Sequence, residues 1–197
     1  MKLTSQEEQI VIGGVLGDGY LQKTGKQNAR FRLEHSEVQK DYLFWKTKQL
    51  KRLFQGKPKF IKRKHPLTKK VYSYWRHQSQ TMPELGKIRM IFYPEGKKII
   101  PQNLVKILGR LGLAVWYMDD GYYYRRDKSA FLYLGRVSAQ EAEIARDAIR
   151  EKFQLESIIK DKKQKGYVLY FSPSQTRKLK KVINSFIIEK FRYKLPS

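Results

Sequence analysis

The chain has 197 residues and carries 42 Lys plus Arg against 18 Asp plus Glu, a formal charge of +24 spread over both halves. It has no cysteine, which excludes a disulfide framework, a thiolate metal site and a cysteine nucleophile, and the scattered His35, His65 and His77 do not form a zinc pattern. At 41% hydrophobic content it can bury a core, as one domain or two fused halves, and its charge favours a polyanion as partner over the plainer alternative of a ribosomal or merely soluble basic protein.

The predicted elements run in the same order in both halves. Ser5 with Glu8 three residues later has the form of a capping box, so a helix is expected over 6–18 with a stop at Gly19. Strands are expected at 19–22 and 29–35 around a turn at 24–28. In the second of them Arg30, Arg32 and Glu34 share one face, and Phe31 and Leu33 the other. The stretch 37–54 reads as a helix packed through Val38, Tyr42, Trp45, Leu50 and Leu53. A hairpin of 59–64 and 71–78 around Pro66-Leu67-Thr68 follows, then a helix over 82–92, and the Pro and Gly of 94–102 mark the junction.

Beyond the junction an apolar run closes at Asp120-Gly121, and strands are expected at 122–126 and 130–137. A helix with Ala142, Ala145, Ile149 and Phe153 on one face follows, then strands 157–161 and 167–171 around Lys162–Gly166. A last helix carries Leu179, Val182, Ile183, Phe186 and Ile187 on one stripe. No run approaches the ~18 apolar residues of a membrane span, and the N-terminus lacks a signal or transit pattern, so the protein is expected to work where it is made.

Individual landmarks repeat as well. Val11 to Tyr20 and Leu113 to Tyr122 are both apolar runs ending in Asp-Gly-Tyr, and a serine follows Asp18 and Asp120 by eighteen residues in each case, at Ser36 and Ser138. Ser79-Gln80-Thr81 and Ser174-Gln175-Thr176 come next, and Lys98-Ile99-Ile100-Pro101 and Lys194-Leu195-Pro196 close the two series. Self-similarity at half the chain length predicts a pseudo-twofold molecule with two equivalent acidic sites.

On these motifs the whole chain resembles the LAGLIDADG homing endonucleases. The stretch Ala114-Val115-Trp116-Tyr117-Met118-Asp119-Asp120-Gly121, with Lys98 to Leu104 upstream and Tyr193-Lys194-Leu195-Pro196 at the end, is most similar to the single-chain, two-motif type represented by the omega-intron endonuclease. The resemblance implies an α+β fold of two αββαββα repeats, 1–96 and 97–197, with motif helices packed at the centre and antiparallel sheets forming a saddle for the DNA major groove. Gly13 and Gly17, four apart, offer a bare stripe for close helix approach. Val115 and Asp119 stand at the matching positions, so that contact is expected to be asymmetric.

The expected chemistry follows from the placement of the acids. A carboxylate at a helix C-terminus sits in an unfavourable dipole field, and two of them at a twofold axis repel unless a divalent cation lies between. Hard oxygens suit Mg²⁺, with Mn²⁺ as a substitute, and a bound metal activates water for in-line phosphodiester displacement. Asp18 and Asp120 are assigned to catalysis and metal binding, with the preceding Gly17 and Asp119 in the same metal site. Asp119, the extra acid, takes a supporting or structural role. Lys98 and Lys194 match lysines that lie near the active centre in the omega-like type, where they would stabilise charge or assist the water.

DNA contacts are nominated by face: Arg30, Arg32 and Glu34; Lys59, Ile61 and Arg63; Tyr72, Tyr74, Arg76 and Gln78. The second half adds Tyr122, Tyr124, Arg126, Arg136, Lys160, Lys162 and Tyr170. The leading expectation is a free-standing, intron-encoded, monomeric endonuclease that makes a double-strand break in a long DNA site, since a chain running from Met1 to Ser197 shows no intein splice residues. It would act in a bacterial or archaeal cytoplasm or an organelle matrix. A maturase that binds its host intron RNA on the same scaffold is a second reading. A DNA-binding regulator with degenerate catalysis is a third, against which the intact acids argue.

Overall fold

Thr4, not Ser5, opens the first helix in the computed structural model, which describes residues 1–196. Its hydroxyl accepts the Glu7 N–H at 3.2 Å, and the Glu7 carboxylate accepts the Thr4 N–H at 2.8 Å. The capping box lies one residue earlier than expected because Glu7 is the acid that turns inward, where Arg52 meets it at 3.1 Å. Helix α1 (Ser5–Leu16) buries Ile10, Val11, Ile12, Val15 and Leu16, and α5 (Arg110–Asp120) buries every residue from Gly112 to Met118. Helices apolar on nearly every side belong at the centre of a molecule, and these two pack against each other there.

Glycine sets how closely they meet. A Cβ on Gly13 would lie 2.2 Å from the Gly112 carbonyl oxygen and 2.8 Å from Val115 Cβ, and one on Gly17 would lie 2.4 Å from an Asp119 carboxylate oxygen. Each glycine thus faces its own counterpart in the repeat, so the pseudo-twofold axis passes between the helices. The contact is asymmetric, as the sequence implies.

Each motif helix leads into a four-stranded antiparallel sheet. The first orders β1 (Tyr20–Lys23), β2 (Ala29–Ser36), β3 (Lys59–Lys64) and β4 (Val71–Gln78) as β1-β2-β4-β3, backed by α2 (Lys40–Gln49) and α3 (Pro83–Phe92). After the one-turn α4 (Leu104–Ile107), the second orders β5 (Gly121–Tyr124), β6 (Ser129–Gly135), β7 (Ile158–Asp161) and β8 (Tyr167–Phe171) as β5-β6-β8-β7. Helices α6 (Ala139–Phe153) and α7 (Pro173–Ile183) back it. The architecture is α+β, two pseudo-twofold repeats with the motif helices between two antiparallel sheets.

Several local expectations differ. The helix expected over 37–54 is a 3₁₀ turn at Glu37–Gln39 followed by α2, because Gln39 leaves helical geometry (φ −111°, ψ 14°), and Val38 is turned out, 76% exposed. Helix α7 ends at Ile183, where Asn184 and Ser185, poor helix formers, begin a 3₁₀ turn, so Phe186 and Ile187 lie beyond it. Arg126 sits in the 125–128 turn, where Lys128 is left-handed (φ 51°), and Arg136 follows a β6 bulge between Tyr133 and Gly135. The Ser-Gln-Thr triplets are not counterparts. Tyr20 pairs with Arg32 and Arg32 with Gln78, whereas Tyr122 pairs with Phe131 and Phe131 with Tyr170, so Ser79 corresponds to Phe171. Ser79 and Thr176 still do similar work: their hydroxyls accept the Phe31 and Ala130 N–H groups at 2.8 and 2.9 Å.

Candidate active site

Helix α1 unwinds at Gly17, and the Gly19 N–H returns to the Gly14 carbonyl at 2.6 Å. A side chain at Gly19 would strike the Phe31 ring at 2.6 Å, and one at Gly121 would lie 2.3 Å from the Tyr117 carbonyl oxygen. Glycine after each acid is therefore a packing requirement, and it leaves Asp18 and Asp120 at the same end of the paired helices. The terminal carbonyls of those helices form the negative pole of each dipole and have no intrahelical partners. Lysines take them. Lys98 Nζ donates to the Leu16 and Gly17 carbonyls, both at 3.0 Å, and Lys194 Nζ to those of Met118 and Asp119, at 2.6 and 3.2 Å. The two lysines thus occupy equivalent stations. Lys98 is open to the surface, while Lys194 is buried in a 3₁₀ segment, Glu189–Lys194, whose backbone is held by a 2.8 Å hydrogen bond from Tyr117.

Crowding and like charge shape the acids. Asp18 keeps 47% of its side-chain surface open but is ringed by protein, and this partial burial, then the Asp119 charge, raises its pKa. Burial, then Asp18 and Asp119, push Asp120 up to about 7. Crowding by the surrounding protein lowers the pKa of Lys98, although its side chain reaches the surface, and burial lowers that of Lys194, while the nearby carboxylates pull both the other way.

Asp119 is differently occupied. Its carboxylate has no exposed surface, accepts Lys46 Nζ at 2.7 and 2.9 Å, and accepts the Asp18 backbone N–H at 3.2 Å. Only its backbone carbonyl, like that of Gly17, faces the lysine side of the site. Lys46 and His35 escaped the sequence reading. The signal for Lys46 was its spacing, three after Leu43 and four before Leu50, which places it on the buried stripe of α2. His35 Nδ1 lies 3.9 Å from Asp18 Oδ2, and burial first, then Lys46, pushes its pKa down to about 4.

The strand nominations fall together. Cross-strand register puts Arg30, Arg32, Glu34, Gln78, Arg76, Tyr74, Tyr72, Lys59, Ile61 and Arg63 on one face of the first sheet, opposite the buried Phe31 and Leu33. Glu34 is its hub, with Arg76 at 2.6 Å, Arg63 at 2.7 Å and Arg32 at 3.3 Å. On the second sheet Tyr122, Tyr124, Phe131, Tyr170 and Lys160 share a face. Lys160 Nζ stands 3.9 Å over the Tyr170 ring, and Lys162 Nζ 5.7 Å from the Phe131 centroid. Arg126 and Arg136 lie at the ends of that sheet, and the Arg136 guanidinium donates to the Gln164 carbonyl.

The family model of the LAGLIDADG DNA endonucleases matches residues 8–179. The chain belongs to this family. Among curated relatives, a probable intron-encoded endonuclease 1 of Wickerhamomyces canadensis is 30% identical over 98% of this chain and 85% of its own length. The RecA protein of Mycolicibacterium flavescens is 28% identical over 98% of this chain, which spans 47%, about half, of that relative's length. The solved structure of the homing endonuclease I-WcaI bound to its DNA recognition sequence superposes with a TM-score of 0.91 at 27% identity, covering 100% of this chain and 88% of that one. In LAGLIDADG terms α1 and α5 are the paired motif helices and the two sheets flank them. Among the described residues, no helix is long and apolar enough to cross a membrane.

Proposed function

We propose that this chain is a site-specific homing endonuclease that makes a double-strand break in a long DNA duplex, repeat 1–96 contributing Asp18 and repeat 97–197 contributing Asp120, Lys98 and Lys194. The observation that carries the reading is the paired ends of α1 and α5, where Asp18 and Asp120 lie within each other's field and Lys98 and Lys194 cap the same helix ends. The endonuclease relative and the DNA-bound I-WcaI support the substrate class.

The donor chemistry fits a divalent cation. Asp120 is pushed up to about 7 in part by Asp18, the mark of an anionic pair that a cation would relieve. Among the described residues no cluster of three or more acidic or imidazole ligands occurs, and Mg²⁺ is commonly held by one or two carboxylates plus water and substrate phosphates. Asp18 and Asp120 would hold it, with the Gly17 and Asp119 carbonyl oxygens as further donors, and Mn²⁺ would substitute. When bound, such an ion supplies Lewis-acid stabilisation of the phosphate and lowers the pKa of water. Each lysine spends two of its three donors on helix carbonyls, which leaves one N–H for a phosphate oxygen or the attacking water.

The outward sheet faces would carry the duplex. Arg30, Arg32, Lys59, Arg63, Arg76 and Gln78, with Tyr72 and Tyr74, serve the first half-site, and Tyr122, Tyr124, Tyr170, Lys160, Lys162, Arg126 and Arg136 the second. Glu34 acts by orienting three guanidinium groups. Selection of cleaved sites from a randomised duplex library in Mg²⁺ tests the reading: recovery of one long consensus is expected. No cleaved duplex, with tighter binding to intron RNA, would overturn it in favour of the maturase.

A further inference from the structure

Lys46 and Asp119 form an ion pair with no exposed side-chain surface on either member; Lys46 Nζ also stands 4.1 Å over the Tyr42 ring, and two further polar contacts lead from the pair to Asp18. By one route, the Asp119 carboxylate accepts the Asp18 backbone N–H at 3.2 Å, and Gly17 is bare because any Cβ there would collide with that carboxylate. By the other, Lys46 Nζ lies 3.4 Å from His35 Nε2, and His35 Nδ1 faces Asp18 Oδ2 at 3.9 Å. An ammonium can only donate, so Nε2 must accept and the proton of the neutral ring resides on Nδ1, the side that faces Asp18. Lys46 therefore orients both the backbone and the side-chain environment of one acid.

The repeat has no second copy of this device. Asp119 corresponds to Gly17, and Lys46, twenty-eight residues after Asp18, corresponds to Ala148, twenty-eight after Asp120. His35 corresponds to Leu134 by strand register and to Val137 by simple count. All of these are apolar or bare. We propose that Lys46, acting through Asp119 and His35, is a positioning residue for Asp18 alone, so that the two strands of a duplex are cut by unequally supported acids. This rests on the nuclease reading above.

The test uses the full chain and a cognate duplex labelled on each strand in turn. Replacing both members of a buried ion pair by apolar residues usually preserves the fold, whereas removing one strands a charge. Lys46→Met/Asp119→Leu removes the acceptor for the Asp18 N–H, and Lys46→Met/Asp119→Asn keeps it. The Leu variant should bind the duplex as wild type does but shift the ratio of the two strand-cleavage rates by about 10–100-fold, the usual scale for loss of a group that orients a metal-site ligand. The Asn variant, which restores the acceptor but still lacks Lys46, should recover only part of the wild-type ratio, and full recovery would overturn the role of Lys46. If the Leu variant does not fold, His35→Leu, which leaves the ion pair intact, should move the ratio in the same direction. A ratio within about twofold of wild type, or equal slowing of both strands, overturns the positioning role. Wild-type protein that cuts neither strand of any duplex overturns the nuclease reading itself.

Discussion

On the outward face of the first sheet, Arg32, Arg63 and Arg76 surround Glu34 and are joined by Arg30, Lys59 and Gln78, whereas the equivalent face of the second carries Tyr122, Tyr124, Phe131 and Tyr170 under Lys160. Strand order and pairing are the same in both. Where side chains meet only solvent or ligand they have diverged from guanidinium to phenol, and where a glycine follows each acid, at Gly19 and Gly121, steric need has kept both repeats bare. The same contrast reappears at the helix ends, where the two lysine stations match but their burial does not.

The comparison breaks outright if one acid suffices. Asp18→Asn and Asp120→Asn should each lower double-strand cleavage by at least about a hundredfold, the scale for losing a group that stabilises the transition state. Duplex binding should persist, because removing negative charge does not weaken phosphate attraction. Full linearisation of a plasmid carrying the site by either variant would sink the assignment. Next in size, Gly13→Ala should cost about 1–3 kcal/mol in urea unfolding through overpacking against Gly112. Gly25→Ala, whose nearest neighbour would be 3.9 Å away, should fall within about 0.5 kcal/mol of wild type.

The lysines sharpen the comparison further. Lys98→Met and Lys194→Met should each slow turnover by about tenfold or more without loss of binding, and their effects on the nicked intermediate should be opposite if each serves a different strand. Strand-labelled duplex at limiting Mg²⁺ reads this directly. Identical nicking by both variants would show that the lysines do not partition between strands.

The Asp-Gly helix ends and the alternation of Arg30, Arg32 and Glu34 against Phe31 and Leu33 were legible from local spacing, the doubling from self-similarity at half the chain length, and both lysines from the resemblance to the omega-like type. The partners of Asp119 were not. Lys46 comes from a helix seventy-three residues away, and one lysine among 42 Lys plus Arg gives no sign of being buried unless its own helix is phased correctly. That phase was blurred because the expected helix absorbed the 3₁₀ turn at Glu37–Gln39 and with it the outward-facing Val38. Arg126 and Arg136 fell off their strands for a similar reason, since a turn and a bulge each consume residues that alternation alone would place in the sheet.

A smaller effect concerns acid. Partial burial works against the charged form of Glu34, but hydrogen bonds from Arg63, Arg76 and Arg32 outweigh it and bring the pKa from 4.5 down to about 2. A carboxyl depressed in the folded state stabilises the fold above its free value, and that contribution is lost as pH falls from about 4.5 through about 2. Glu34→Gln should therefore flatten the acid limb of the stability curve in that window. An unchanged limb in circular dichroism titration would mean that the arginine cluster does not stabilise the fold.

The finest distinction between the sheets is how each would hold a duplex. Every phosphate contact made by a cation releases counterions, so removing one should reduce the slope of log K against log salt by about 0.9. Lys59 is exposed on the arginine-rich face, and Lys59→Met should reduce the slope by about that amount while weakening cognate and random duplexes alike. Tyr122 is 50% exposed on the aromatic face and carries no charge. Tyr122→Ala should weaken binding at every salt concentration and leave the slope as it was. Binding isotherms at four or more salt concentrations separate the outcomes, and a slope change for Tyr122→Ala equal to that for Lys59→Met would show that the two faces engage phosphate in the same way, whatever their composition.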